Sequence, residues 1–360
     1  MQSDINEILR VAPELDLFNN DIFVYYLTNN QAPALYQTEY DKTSGIYKLV
    51  KRKDYDRSQY STDPRRIRGV IEDYLHLSPA DTYGLIFWSH GTGWTPYFSD
   101  HKVNQSEVSQ SGRGGVYKSF GYDSYNGTVD QCDIIELAEA VPEDIFHYIW
   151  FDCCYMGGIE TVYQLRDKAD YMVAYCTEVW GDGMQYTLTM PYLVNEQPDL
   201  KGAAKAFSDY YINQQLAVTV GVYDLSQVEG VAEVAAERFN LEPAPVVFMQ
   251  NYGRQGYDFY DFGQYLKSKM IETPEKWSTS VFDSSMSAFD DIQLNAALSK
   301  LVVFKQSADI NFNRSPLSLD YFSGLSVHYF KNENTEKDAY YQQTDWYKRI
   351  SRQSEFPDRD

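Results

Sequence analysis

Two apolar runs each stop on a residue suited to chemistry, and together they constrain the fold of this chain more than any other feature. One is Leu85-Ile86-Phe87-Trp88-Ser89-His90-Gly91; the other is Tyr148-Ile149-Trp150-Phe151-Asp152-Cys153-Cys154. Short, continuous apolar runs mark strands buried on both faces, as in a parallel sheet covered by helices. Such sheets carry their ligand and catalytic sites just beyond the carboxyl ends of the strands. If the two strands are neighbours, an imidazole and a thiol meet at one sheet edge. That is the layout of a cysteine hydrolase.

The rest of the chain supplies the setting. Ser3–Val11 reads as a helix, Ile22–Leu27 as a buried strand, and Ala34–Tyr40 with Gly45–Val50 as a hairpin. Thr62-Asp63-Pro64 starts a helix over Arg65–His76, with proline near the first helical position. Strand Tyr83–Ser89, helix Val129–Ala140, strand His147–Phe151, helix Gly157–Lys168, strand Tyr171–Tyr175, helix Gly202–Gln215 and strand Val218–Leu225 follow. Strands alternating with helices predict right-handed crossovers and a mostly parallel sheet. A polar, glycine- and serine-rich loop, Asp100–Gly121, separates the two catalytic strands. Beyond Ser226 the rhythm changes to helices at Val228–Phe239, Asp258–Met270 and Ala288–Lys300, strands at Leu301–Asn311 and Gly324–Phe330, and a helix around Thr344–Arg352. The expected organisation is a catalytic α/β domain over 1–225 and a C-terminal α+β extension over 226–360.

Composition excludes several classes. With 360 residues and 43% hydrophobic content the chain can bury a sizeable core. A net charge of −21 argues against nucleic acid, whose phosphates would be repelled. An acidic surface would instead favour cationic peptides, while most of that charge is read as serving solubility through self-repulsion. The four cysteines, Cys132, Cys153, Cys154 and Cys176, form neither a disulfide scaffold nor a zinc-ligand spacing, so no metal site is read. No apolar run reaches the ~18 residues that cross a bilayer.

Thiolate attack on a carbonyl needs a sulfur, a base and oxyanion donors. His90 can be the base, and Gly91, lacking Cβ, lets its N–H approach a substrate carbonyl. The thiol is followed by Tyr155-Met156-Gly157-Gly158-Ile159-Glu160, read as a helix opening whose dipole would lower the thiol pKa. Alone, each residue is ordinary; at consecutive strand tips the pair points to a catalytic site.

Trp88-Ser89-His90-Gly91-Thr92-Gly93-Trp94 and Asp152-Cys153-Cys154-Tyr155-Met156 resemble the clostripain family of cysteine peptidases, of the caspase–gingipain–legumain group. The family's Asp-x-Cys-x-Met pattern and following helical Glu match Asp152, Cys154, Met156 and Glu160, with weaker matches at Thr177-Glu178, Gly183, Tyr186, Tyr257–Phe262 and Gly324–Val327. The resemblance spans roughly Ile22 to Trp346. It implies a caspase-like αβα sandwich and a Cys–His dyad with Cys154, not Cys153, as nucleophile. It also places Asp152 in the primary specificity pocket, with Asp182 as a second pocket acid, for substrates carrying Arg or Lys. A strand-tip cap and a solvated turn are the structural alternatives for those two acids.

The resemblance further implies self-cleavage between the two strands, where Lys102, Arg113 and Lys118 lie; Ser111-Gly112-Arg113-Gly114-Gly115 is the most accessible candidate. No cofactor is required. Calcium is allowed as an activator by the family and by acids such as Asp123, Asp130, Asp133, Asp258 and Asp261, without EF-hand spacing. The expected location is outside a bacterial cell or at its envelope, with a leader absent from this chain. The family's core begins with a strand ahead of its first helix, whereas this chain opens on a helix, so one strand is expected to be missing. The competing function is a catalytically silent caspase-like scaffold or binding protein; an acyltransferase using the same thiol is more distant.

Overall fold

The structure, a computed structural model, describes residues 2–27, 32–95, 120–126, 128–253, 259–272, 274, 276–308, 319–331, 333 and 335–352. Within these, the strands in chain order are β1 Phe23–Tyr26, β2 Ala34–Asp41, β3 Ile46–Asp54, β4 Tyr83–Trp88, β5 Phe120–Tyr125, β6 Thr128–Cys132, β7 Phe146–Asp152, β8 Ala169–Ala174, β9 Val218–Asp224, β10 Phe259–Asp261, β11 Val302–Ala308 and β12 Ser326–His328. Five of them form the central sheet, in the order β11-β9-β8-β7-β4. β4, β7 and β8 are mutually parallel. β9 is antiparallel to both of its neighbours, β8 and β11, so four of the five strands point the same way.

That reversal at β9 departs from the expected run of single-helix crossovers, and the reason is local. Two packed helices, Tyr186–Leu193 and Leu200–Asn213, separate β8 from β9. One helix returns the chain to the edge from which a strand began. Two antiparallel helices bring it back to the edge it left, so the next strand runs the other way. The chain beyond 225 also does more than pack on the core, because β11 closes the sheet beside β9.

β7 shows why the runs read as buried. Ile149 and Phe151 enter the core layer shared with Phe87, Ile134 and Val162. Tyr148 and Trp150 enter the opposite layer with Val173, Phe207 and Val220. Both faces are thus covered, and each such side chain contributes about 1.5–3 kcal/mol by leaving water. Trp150 keeps its indole N–H satisfied by donating to the Tyr175 hydroxyl at 2.8 Å.

Capping residues set the helix starts. Asp63 accepts from the Arg65 N–H ahead of Pro64–Leu77. Asp133 and Glu136 form a capping box that starts the next helix at Ile134, not at Val129 as expected. Val129–Cys132 belongs instead to β6, paired antiparallel with β5. β1 follows the first helix, Gln2–Val11, and lies outside the central sheet. It pairs with β2, while Val24 packs in the same layer as Ile86 of β4.

Candidate active site

The parallel ladder between β4 and β7 ends at Trp88↔Asp152. His90 and Cys154 each stand two residues beyond that last pair, so the two strand tips arrive level. Adjacent strands lie only about 4.8 Å apart. The loops that follow then close on each other backbone to backbone. A Cβ placed on Gly91 would meet the Cys154 carbonyl oxygen at 2.5 Å, and one on Gly93 would meet the Tyr155 carbonyl oxygen at 2.8 Å. Gly93 is also left-handed, with φ +62°. The Gly91-x-Gly93 spacing is therefore required for this close approach, beyond the single oxyanion role read from the sequence.

The two tips differ in exposure. His90 is exposed, with the ring of Tyr122 edge-on at 6.3 Å and 89°; its carbonyl accepts from the Gly121 N–H at 3.0 Å. Cys154 is half-buried. Its sulfur receives the Val179 N–H at 3.3 Å. Burial pushes the thiol up to about 11, opposed by the Val179 N–H and reinforced by the nearby Glu178 and Asp152 carboxylates. The expected helix dipole is not at the sulfur: the helix starts at Ile159 behind Gly158, because Gly157 donates to Tyr175 and Gly158 bridges Ser326. Immediately after Cys154 the chain turns through Tyr155 at φ +61°, a left-handed conformation that costs a non-glycine residue about 1–3 kcal/mol.

Cys153 points the other way, into the core layer of Ile149 and Phe151, and burial raises its thiol well above the usual range. All four cysteines are free. Cys176 is wholly buried and donates to the carbonyls of Gly157 and Gly324 at 3.3 and 3.6 Å.

Asp152 continues the opposite alternation and enters the second layer. It is 4% exposed, accepting from the Met184 N–H at 2.9 Å and the Tyr186 hydroxyl at 3.3 Å. Gly183, at φ +60°, fits against it: a Cβ there would lie 2.9 Å from a carboxylate oxygen. Burial raises this carboxyl to about 7 despite both hydrogen bonds. Asp182 is exposed in the same loop. Tyr186 is among the weaker family matches in the sequence, whereas Met184, Val179 and Tyr122 carry no such signal. Phe120–Tyr125 straddles the end of the stretch read as loop, Asp100–Gly121, and runs into residues assigned to no element.

Lys102, Arg113 and Lys118 lie outside the described residues, as does Asp258. The other acids considered for calcium are engaged within the protein. Asp123 pairs with Arg57, Asp130 accepts from the Thr62 hydroxyl, and Asp133 and Asp261 cap helices. Among the described residues no group of three or more His, Cys, Asp or Glu is gathered as metal ligands.

The model of the clostripain family matches residues 1–242. No curated protein matches. A secreted C11 cysteine protease from Bacteroides thetaiotaomicron, solved with an irreversible peptide inhibitor, superposes with TM-score 0.78 at 24% identity, over 98% of this chain and 94% of that one. An inactive zymogen C11 protease from Parabacteroides distasonis superposes with TM-score 0.74 at 23% identity, over 97% and 92%. At these identities the superpositions establish a shared fold.

Proposed function

The chain belongs to the clostripain family of cysteine peptidases, and from that premise we propose an endopeptidase that cleaves after Arg or Lys with Cys154 as nucleophile and His90 as base. The observation that carries this reading is the level arrival of His90 and Cys154 two residues past the Trp88↔Asp152 pair. In the reaction, His90 takes the Sγ proton as the sulfur attacks the scissile carbonyl. The Gly91 and Cys154 N–H groups receive the developing oxyanion. His90 then protonates the departing amine, leaving a thioester, and next draws a proton from water, which attacks the thioester and restores the thiol.

Thiolate is scarce at neutral pH for a group held near 11, so proton transfer to His90 has to accompany attack. Asp152 supports basic specificity, because a guanidinium or ammonium reaching its buried carboxyl would favour the ionised form that burial opposes. Such a pair, desolvated on binding, discriminates against neutral side chains. Asp182 would add a weaker, solvated attraction at the pocket mouth. With this specificity the enzyme would cut itself at Arg113, Lys102 or Lys118, and calcium is proposed only as an activator. No described helix is long and apolar enough to cross a membrane, and one fold relative is secreted; we read this chain as exported from a bacterium.

The test is one assay series. Arg- and Lys-chloromethylketones and matching fluorogenic peptides are applied with and without calcium to wild type, Cys154→Ala and Cys176→Ala, alongside intact-mass analysis. Labelling and hydrolysis lost only in Cys154→Ala, with a chain split absent from that variant, is the expected result. No labelling and no hydrolysis under any condition overturns the peptidase reading and leaves the silent scaffold. Loss in Cys176→Ala alone moves the nucleophile.

A further inference from the structure

An imidazole serves a thiol as base in one orientation only, so whatever packs on its ring has a share in the rate. We propose that Tyr122 is the positioning residue for His90, held edge-on to the imidazole by a hairpin that is itself clamped to residues 57–62. The proposal rests on the reading of His90 as the base.

The hairpin reaches His90 through the backbone first. The Gly121 N–H donates to the His90 carbonyl at 3.0 Å, and Phe120 forms an antiparallel bridge with Gly91. β5 then alternates. Phe120 and Tyr122 face the catalytic strands: Phe120 packs edge-on against Phe87 at 5.1 Å and Phe151 at 6.2 Å. Tyr122 meets His90 with centroids 6.3 Å apart at 89°, the edge-to-face geometry that aromatic rings favour.

Gly121 and Asp123 face the other way, toward the start of the helix Pro64–Leu77. Gly121, at φ +81°, lies so close that a Cβ would stand 2.5 Å from the Thr62 methyl. Asp123, 2% exposed, accepts from Arg57 at 2.7 and 3.3 Å and from the Ser61 N–H at 2.6 Å. Arg57 also donates to the Ser124 carbonyl at 2.6 Å and lies 4.6 Å over the Tyr125 ring. Tyr122 therefore sits between two fixed neighbours, one tied to His90 itself and one to an ion pair whose carboxylate is buried. A ring held this way limits how far the imidazole can swing.

The experiment measures kcat and KM separately on an Arg-peptide substrate for wild type, Tyr122→Phe, Tyr122→Leu and Asp123→Asn, with circular-dichroism melting for each. Misplacing a catalytic group by about 1 Å costs on the order of 100-fold. Tyr122→Leu is therefore expected to lose kcat by about 10- to 100-fold at unchanged KM, and Tyr122→Phe, which keeps the ring, to stay within about twofold of wild type. Asp123→Asn, which loosens the clamp without touching the site, is expected to show a smaller fall in kcat, again at constant KM. Wild-type kcat in folded Tyr122→Leu overturns the proposal, as does an equal loss in Tyr122→Phe. Should Tyr122→Leu fail to fold, unchanged kcat in Asp123→Asn overturns it. An inactive wild type, or a fully active His90→Ala, would instead bring down the dyad on which the proposal is built.

Discussion

The two strand tips reach the same level by opposite means. The Cys154 tip is built from inside: Asp152 and Cys153, the two residues before the sulfur, are buried in opposite layers, and the next carries a left-handed turn. The His90 tip is built from outside, exposed and braced by a hairpin from later in the chain. The proposed nucleophile, fixed by the core, costs stability when altered. The proposed base, fixed by a surface brace, can be altered at little cost to folding, so its changes show up as rate.

Three substitutions would break that contrast most sharply. His90→Ala is expected to keep the wild-type melting temperature within a few degrees and to lower kcat by about 10³-fold or more, since it removes the only assigned base. A large loss of stability there would mean that the base tip is part of the core after all. Gly91→Ala and Gly93→Ala come next. Each puts a methyl group within 2.5–2.8 Å of a backbone oxygen on the other tip. Neither oxygen can rotate away, so the loops must separate, and kcat is expected to fall by about 100-fold. Gly93→Ala should also lower the melting temperature, because its φ of +62° costs a residue with Cβ about 1 kcal/mol or more.

Much of this was legible in the sequence because it depends on strand periodicity, which a chain states openly. The two apolar runs and the Asp63-Pro64 helix start follow from local pattern, and the register of Asp152 to Cys154 from the family resemblance. What stayed hidden depends on where segments distant in sequence meet. The Asp133…Glu136 capping box was readable, yet Val129–Cys132 read as helix because Ile134, Ile135 and Leu137 continue an apolar pattern with it. The brace of β5 on His90 needs the pairing of Gly121 with His90 across 31 positions, and no local pattern encodes that. The thiol environment likewise depends on Val179, which follows β8 and has no sequence relation to Cys154.

Asp152 gives a smaller, purely thermodynamic test of the inside-built tip. Its carboxyl is held near 7 in the folded protein, against about 3.9 in an unfolded chain. Between these values the folded state binds the extra proton, so this group favours folding at low pH and its contribution is lost as pH rises from about 4 to 7. Ionising it in the folded state therefore costs on the order of a few kcal/mol. Asp152→Asn removes the titration while its side-chain oxygen can still accept from Met184, so the variant should gain stability relative to wild type as pH rises through that window. The check is chemical denaturation at several pH values, with substrate absent. Glu160, wholly buried and also raised by burial to about 7, leaves its own slope in both proteins, so it is the difference between them that isolates Asp152. The same variant should lose its preference for Arg over a neutral residue by tenfold or more in kcat/KM. A flat stability difference would mean that Asp152 is ionised throughout, already paired or solvated, and the tip would then be less sealed than its burial indicates.

The smallest expected effect belongs to Asp182, exposed in the loop that wraps Asp152. A solvated carboxylate attracts a cationic side chain by less than about 1 kcal/mol, and that attraction is screened by salt. Asp182→Asn should therefore raise KM for an Arg substrate by no more than about fivefold at low ionic strength and converge on wild type as salt is added. A salt-independent loss approaching that of Asp152→Asn would show that the loop closes over the bound side chain and takes Asp182 out of water. The specificity pocket would then be shaped on substrate binding, and the contrast between a sealed tip and an open one would hold only for the free enzyme.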